Sequence, residues 1–88
     1  MKEKELERIL KALANKRRLA VISFLKKRKE SNVGNIAEAI KLSVKSTSRH
    51  LAVLAGADIL EREQRSSEVF YKVNASIPEL FQLLIKSL

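Results

Sequence analysis

The stretch that most constrains the fold is residues 42–55, which read LSVKSTSRHLAVLA. At a period of 3.6 residues, one face of this stretch is expected to be buried, and it consists of Val44, Thr47, Leu51 and Leu54. Lys45 and Arg49 lie roughly opposite that face, and residues 42–57 contain no acidic residue. The pattern predicts a helix that packs through one side and presents cations on the other.

The outer face of this predicted helix has the chemistry of a DNA contact. Ser46, Ser48 and His50 flank the two cations. Ser43 is a candidate N-cap, since its hydroxyl can accept a hydrogen bond from a free amide in the first turn. Hydroxyls and cations suit the phosphates and base-edge acceptors of a DNA groove. The alternative is a solvated polar face, because charge on an exposed helix face is the usual case.

Net charge and composition narrow the possible partners. The 88 residues carry a formal charge of +8, which points to a polyanion, either nucleic acid or an anionic membrane. A membrane role for the basic run Lys26–Lys29 would require an exposed apolar face, and the neighbouring apolar residues are needed for the core. The first residues contain no apolar signal region, and no apolar run could span a bilayer. We therefore expect a cytoplasmic protein without a membrane partner.

Three further helices are predicted before residue 42, at about 4–14, 16–29 and 33–40. The second is apolar on most sides, so it is predicted to be the central core helix. Asn15 is a candidate cap for it, and residues 30–32 are predicted to be a turn in which Ser31 or Asn32 caps the third helix. The third and fourth helices, together about 33–55, are joined by a short turn, as in a helix-turn-helix.

The pattern changes after residue 58. Residues 59–63 and 68–73 are predicted to be strands of a hairpin joined by Gln64–Ser67, because the second strand alternates apolar and polar residues. A hairpin that directly follows a helix-turn-helix, here about 59–73, is a wing. The run Ser76–Glu79 has a capping-box pattern and predicts a last helix at 77–87. The predicted fold is mainly α with a small β-hairpin wing, a single winged helix-turn-helix domain over 1–88.

The two terminal helices predict an interface. Their apolar stripes exceed what the central elements of so short a chain can cover, and bare stripes would form an aggregation-prone patch. We interpret them as a two-fold dimer interface; the alternative is that they cover only their own core. The predicted dimerisation residues are Leu6, Ile9, Leu10, Leu13, Leu80, Phe81, Leu84 and Ile85.

Taken together, the sequence resembles the ArsR/SmtB family of winged-helix transcriptional repressors over nearly its whole length. The stretches that carry the resemblance are LKALANKRRLAVISFL, VGNIAEAIKLSVKSTSRHLAVL and the segment ending VFYKV. The most specific part is Ser48-Arg49-His50-Leu51, followed by Val53-Leu54, which looks like the family's recognition-helix signature.

The resemblance implies a homodimer that binds a partly palindromic operator site in double-stranded DNA. It also implies that an inducer releases the protein from this site. The residues predicted to bind DNA are Ser43, Lys45, Ser46, Ser48, Arg49 and His50 in the recognition helix, with Arg62 and Arg65 in the wing. For His50 a second interpretation stays open, in which its side chain is wedged against a neighbouring helix. Arg18 stands where the family usually has an arginine, and we expect it to form a structural ion pair.

The sequence departs from the family at its sensor sites and at the wing. Residues 30–35 contain no thiol, and residues 77–88 contain no histidine and only Glu79 as an acid. We therefore expect no metal site and no cofactor. The wing has Ser66 where the family usually has glycine, and its three glutamates should weaken phosphate contacts; these are Glu61, Glu63 and Glu68.

No catalytic site is predicted, because the chain has no phosphate-binding glycine loop and no carboxylate paired with a base. The predicted function is a sequence-specific DNA-binding transcription regulator, most simply a repressor. Two alternatives remain: a winged-helix module for protein assembly, and a non-specific DNA-coating protein.

Overall fold

The computed structural model describes residues 1–88 and consists of five helices and a three-stranded antiparallel sheet. None of the helices is long and apolar enough to cross a bilayer. The elements in chain order are α1 (Glu3–Leu13), α2 (Lys16–Arg28), β1 (Glu30–Asn32), α3 (Val33–Ile40), α4 (Val44–Gly56), β2 (Leu60–Arg65), β3 (Glu68–Val73) and α5 (Glu79–Lys86).

Side-chain caps fix where three of the helices begin. The Asn15 side chain accepts a hydrogen bond from the Arg18 amide at 3.1 Å, and Asn32 accepts one from the Asn35 amide at 2.8 Å. Ser43 Oγ accepts one from the Ser46 amide at 3.1 Å, at the start of α4. Each cap satisfies an amide that has no partner within its helix. The predicted caps of α2 and α4 are confirmed, and of the two candidates for α3 Asn32 is the one that caps.

The sheet differs from the predicted hairpin in two ways. Residues 30–32 are not a turn but β1, which pairs with β3 so that the strand order is β1-β3-β2. Three residues show no periodicity, and this strand is fixed only by pairing with a partner about 40 residues further along the chain. The hairpin is also tighter than predicted, since β2 extends to Arg65 and Ser66 turns the chain at a φ of 55°.

The predicted capping box at residues 76–79 is wrong. The Ser76 amide bonds instead to Asn74 Oδ1 at 2.9 Å, and α5 begins at Glu79, two residues later than predicted. The Gln82 amide group reaches back to the Ile77 carbonyl at 2.7 Å, so the turn before the helix is held by Asn74 and Gln82. The far end of α5 is tied to α2, because Lys26 Nζ donates to the Lys86 carbonyl at 3.1 Å.

The core confirms α2 as the central helix, with Val21, Ile22 and Leu25 fully buried. In α4, Leu51 and Leu54 are buried as predicted, but Val44 is 55% exposed. Val44 is the first residue of α4, and the buried stripe begins one turn later than predicted, at Thr47. Because this inner side is buried, the opposite side of α4 faces outward.

Thr47 carries a polar group that the core does not satisfy. The side chain is fully buried, and its hydroxyl has no hydrogen-bond partner. We expect Thr47→Val, which exchanges the hydroxyl for a methyl group of similar size, to raise the free energy of unfolding by about 1 kcal/mol. Urea unfolding at a fixed chain concentration measures this. Thr47→Ala is the matched control, since it also removes a methyl group and should gain less. A valine variant less stable than the parent would contradict the prediction.

Candidate nucleic-acid interface

The outer face of α4 presents its two cations to solvent. Lys45, Ser48 and Arg49 are exposed, and the first turn of the helix contains no acidic residue. None of the ion pairs in the structure involves Lys45 or Arg49, so neither charge is neutralised within the chain. Two free cations one helical turn apart on an exposed helix face can contact phosphates or the acceptor atoms of guanine.

Among the serines predicted to bind DNA, only Ser43 uses its side chain within the helix. Ser43 Oγ is the acceptor of the N-cap bond, and Ser46 supplies the amide and is half-buried. A hydroxyl that caps a helix still has a hydrogen to donate, so Ser43 can cap and contact a phosphate together. Ser48 is exposed and is the least constrained of the three.

His50 is half-buried on the flank of α4 that faces α2. Its Nδ1 lies 3.4 Å from Nη1 of Arg18, which is also half-buried. Burial lowers the pKa of His50, and the charges of Arg18 and Arg17 lower the pKa further. The ring thus lies against a neighbouring helix, the second of the two interpretations that the sequence left open.

Arg18 does not form the ion pair that we expected. Its Nε donates to the Ala12 carbonyl at 2.6 Å and its Nη2 to the Lys11 carbonyl at 3.1 Å. These carbonyls lie in the last turn of α1, where backbone acceptors have no partner within the helix. The guanidinium of Arg18 has several fixed donors, so it can bond to both carbonyls at once. A carboxylate partner would occupy these donors and leave the carbonyls without a hydrogen bond. The prediction of an ion pair at Arg18 is wrong.

In the wing, only one of the two arginines is free. Arg62 is exposed, and no ion pair involves it. Arg65 contacts both carboxylate oxygens of Glu30, lies 2.6 Å from Glu63 Oε1, and stacks over Phe70 with Cζ 4.6 Å from the ring centroid. The bonds to Glu30 and Glu63 raise the pKa of Arg65, and Arg65 in turn lowers the pKa of Glu30.

One apolar residue that was predicted to be buried lies on the outer surface instead. Val44 is exposed beside Lys45 at the start of α4. In helix-turn-helix proteins of known mode of binding, the N-terminal residues of the recognition helix contact base edges. A valine side chain at that position can contact the methyl group of thymine. The signal in the sequence was its position directly after the Ser43 cap, since first-turn residues often lie outside the buried stripe.

The predicted dimerisation residues divide into two groups. Ile9, Leu13, Phe81 and Ile85 are buried in the chain's own core, and Leu6 is half-buried against it. The others are about half exposed: Leu10 47%, Leu80 57% and Leu84 48%. Leu83, which was not predicted, is 58% exposed. Helix α5 therefore has a second apolar side that its own core does not cover.

No group of three histidine, cysteine or acidic side chains could hold a metal ion. The sensor positions of the resemblance are likewise without a thiol, since the chain has no cysteine.

A family model described as bacterial regulatory protein, arsR family, matches residues 15–62, which include α2, β1, α3, α4 and the start of β2. The chain belongs to the ArsR family. The matched region contains the three capped helices, α2, α3 and α4. It therefore includes the outward face of α4, which is the main part of the candidate interface.

Two relatives of this ArsR chain are named as transcription regulators. The transcriptional repressor PagR of Bacillus anthracis is 33% identical over 66 residues, which cover 75% of this chain and 66% of PagR. The transcriptional activator HlyU of Vibrio cholerae is 31% identical over 77 residues, which cover 86% of this chain and 70% of HlyU.

Solved structures confirm the winged-helix fold. The crystal structure of PagR superposes with a TM-score of 0.80 at 30% identity, over 96% of this chain and 92% of PagR. A homodimeric winged helix-turn-helix DNA-binding domain from Mycobacterium bovis superposes with a TM-score of 0.81 at 26% identity, over 96% of this chain and 74% of that chain.

Proposed function

We propose that this ArsR-family chain is a homodimeric transcription regulator, acting as a repressor, that binds a partly palindromic site in double-stranded DNA. The observation that carries the proposal is the outer face of α4, where Lys45 and Arg49 are exposed and unpaired. The named functions of its relatives support the coarser assignment, a transcription regulator.

In this proposal α4 is the recognition helix, and Arg49 is the principal reader of base edges. A guanidinium matches O6 and N7 of guanine with two parallel hydrogen bonds, whereas Lys45 is a point charge suited to phosphate. The hydroxyl groups of Ser48 and of the capping Ser43 are the proposed contacts to the DNA phosphates. In the wing Arg62 is the available phosphate contact, because Arg65 is held by two carboxylates.

The dimer interface proposed here consists of the exposed leucines of the two terminal helices, Leu10, Leu80, Leu83 and Leu84. A second copy of the chain is the proposed occupant, since the M. bovis domain with the same fold is described as homodimeric. The two-fold axis would present two copies of α4 to successive major grooves about one helical turn apart, which requires a partly palindromic site.

A regulator of this kind binds DNA without breaking or forming a covalent bond, so we propose no catalytic role. We place the protein in the cytoplasm, where bacterial DNA is accessible. One relative is named a repressor and the other an activator, so membership of the family does not by itself set the sign of regulation. We favour repression because occupancy of a site needs no further contact with polymerase.

The proposal is tested by selecting bound fragments from genomic DNA and titrating the preferred duplex at several salt concentrations. We expect a dissociation constant that rises by about 10³-fold or more between 50 and 200 mM salt if six or more phosphates are contacted. A scrambled duplex of the same length is the control, and it should bind much more weakly.

Two results would contradict the proposed function in different ways. Equal affinity for the preferred and scrambled duplexes would indicate a DNA-coating protein. No binding at low salt would leave an assembly module, in which the positive charge serves only solubility.

A further inference from the structure

Three helices meet at the Arg18 side chain. From α2, this side chain donates to the Lys11 and Ala12 carbonyls at the end of α1, and its remaining Nη1 lies 3.4 Å from His50 Nδ1 on α4. The Arg18 amide also bonds to the Asn15 side chain that caps α2. A terminal helix and the recognition helix are therefore attached to the same guanidinium.

A hydrogen bond between these two side chains requires one particular state of the histidine. A guanidinium has only donors, so the imidazole nitrogen facing it must be the acceptor and cannot carry a hydrogen. The hydrogen of a neutral ring is then on Nε2. A doubly protonated ring would present a donor and a positive charge to Arg18, and the hydrogen bond would break.

We infer that His50 is a positioning residue, which in its neutral form accepts a hydrogen bond from Arg18 and so fixes the orientation of α4 relative to α1 and α2. This role rests on the proposed function of α4 as the recognition helix. It develops the second of the two interpretations that the sequence left open, in which the His50 side chain is wedged against a neighbouring helix, and it excludes the first, in which His50 contacts DNA.

The charges around the ring agree with a neutral histidine. Helix α2 faces the ring with Arg17 and Arg18, while α1 contributes the two carbonyls that hold Arg18. On α4 the adjacent residue is Arg49, and the side chain of Lys11 is directed to Glu7 at 3.8 Å. None of the ion pairs brings a carboxylate to His50.

The two roles predict opposite responses to pH. A histidine that contacts phosphate binds DNA best when protonated, so affinity would rise as the pH falls. A histidine that must accept a hydrogen bond from Arg18 has to be neutral in the DNA-bound protein. At a pH below the pKa of His50, the affinity for DNA then falls by up to about tenfold for each pH unit, and it does so for each protomer of the dimer. Because burial and the two arginines lower the pKa of His50 in the folded chain, the contribution of His50 to stability is fully present above pH 6.5 and is lost progressively below it.

The chain allows a clean test because His50 is its only histidine. Affinity for the selected duplex is measured by fluorescence anisotropy between pH 5.5 and 7.5 at constant ionic strength. The wild type is expected to lose affinity as the pH falls. His50→Gln keeps an acceptor and cannot be protonated, so it should bind as well as the wild type at pH 7.5 and show a flat profile. His50→Leu has no acceptor, so it should bind the duplex more weakly than His50→Gln at every pH.

Nitrogen-15 NMR of the free protein gives a readout that does not depend on DNA binding. We expect the chemical shifts of an unprotonated Nδ1 and a protonated Nε2, with a pKa below 6.5. A protonated Nδ1, an affinity that rises as the pH falls, or equal binding by His50→Gln and His50→Leu would overturn the inference. If the wild type bound no duplex at pH 7.5, the proposed function would fail, while the NMR result would still decide the state of His50.

Discussion

A Leu84→Glu variant is expected to sediment as a single chain of 10.0 kDa under conditions in which the wild type sediments as a dimer. Leu84 is 48% exposed on the outer side of α5, beside the exposed Leu80 and Leu83. A glutamate there would place two like charges in an apolar two-fold interface, where burial of an unpaired charge is strongly unfavourable. Analytical ultracentrifugation measures the change directly.

The same variant should lose operator affinity without losing its fold. The second half-site is bound at the effective concentration that the dimer provides, which raises affinity by about 10²–10⁴ over one half-site. Ala39→Glu, the same charge at an exposed position on α3, is the control for oligomeric state and should remain dimeric. Circular dichroism separates loss of the dimer from loss of the fold. A wild-type chain that sediments as one subunit at micromolar concentration would contradict the dimer itself.

Local patterns in the sequence were sufficient to predict α1 to α4. The bounds of α1 to α4 follow from apolar spacing together with the caps Asn15, Asn32 and Ser43, whose hydrogen bonds span only three residues. Such short-range bonds depend on residue type and position alone, so they can be inferred before the tertiary structure is known. The exposure of Lys45 and Arg49 follows from the same argument, since it is the complement of the buried stripe.

The tertiary contacts that sequence reasoning missed join residues far apart in the chain. Strand β1 exists because it pairs with β3, and Arg65 is neutralised by Glu30, 35 residues away. The contact of Arg18 with His50 spans 32 residues. No periodicity reveals such partners, because each depends on how the helices and the sheet pack on one another. The wing arginine was therefore predicted to be a phosphate contact without its two carboxylate partners.

These pairings decide where the positive charge of the chain is available. Glu30 and Glu63 neutralise Arg65, and Glu61 lies 3.5 Å from Lys72 on the same face of the sheet. Glu68 accepts a hydrogen bond from Asn32 at 2.9 Å, next to the start of α3. The wing therefore offers little net charge, and we expect DNA recognition in this protein to depend mainly on α4. Substitutions in α4 should accordingly have larger effects than substitutions in the wing.

Arg49→Ala is expected to remove most of the discrimination between the preferred duplex and a scrambled one. A bidentate pair of bonds to guanine discriminates by about 1–3 kcal/mol, and a symmetric dimer would lose one such pair in each half-site. Arg49 is exposed and forms no ion pair, so its removal should leave the free energy of unfolding nearly unchanged. Competitive titration of the two duplexes at one salt concentration measures the ratio of affinities.

Two further variants separate reading of bases from general attraction. Arg49→Lys keeps the charge but not the planar pair of donors, so it should retain much of the salt dependence and lose selectivity. Lys45→Ala should instead weaken both duplexes equally and reduce the salt slope by about one for each phosphate that is no longer neutralised. Arg28→Ala is the matched control, because it removes an exposed arginine at the end of α2 that is far from the contact between Arg18 and His50. The guanidinium of Arg28 lies over the ring of Phe24. If Arg49→Ala kept full selectivity, bases would be read by another part of the surface, and α4 would serve only to position the dimer on the phosphates.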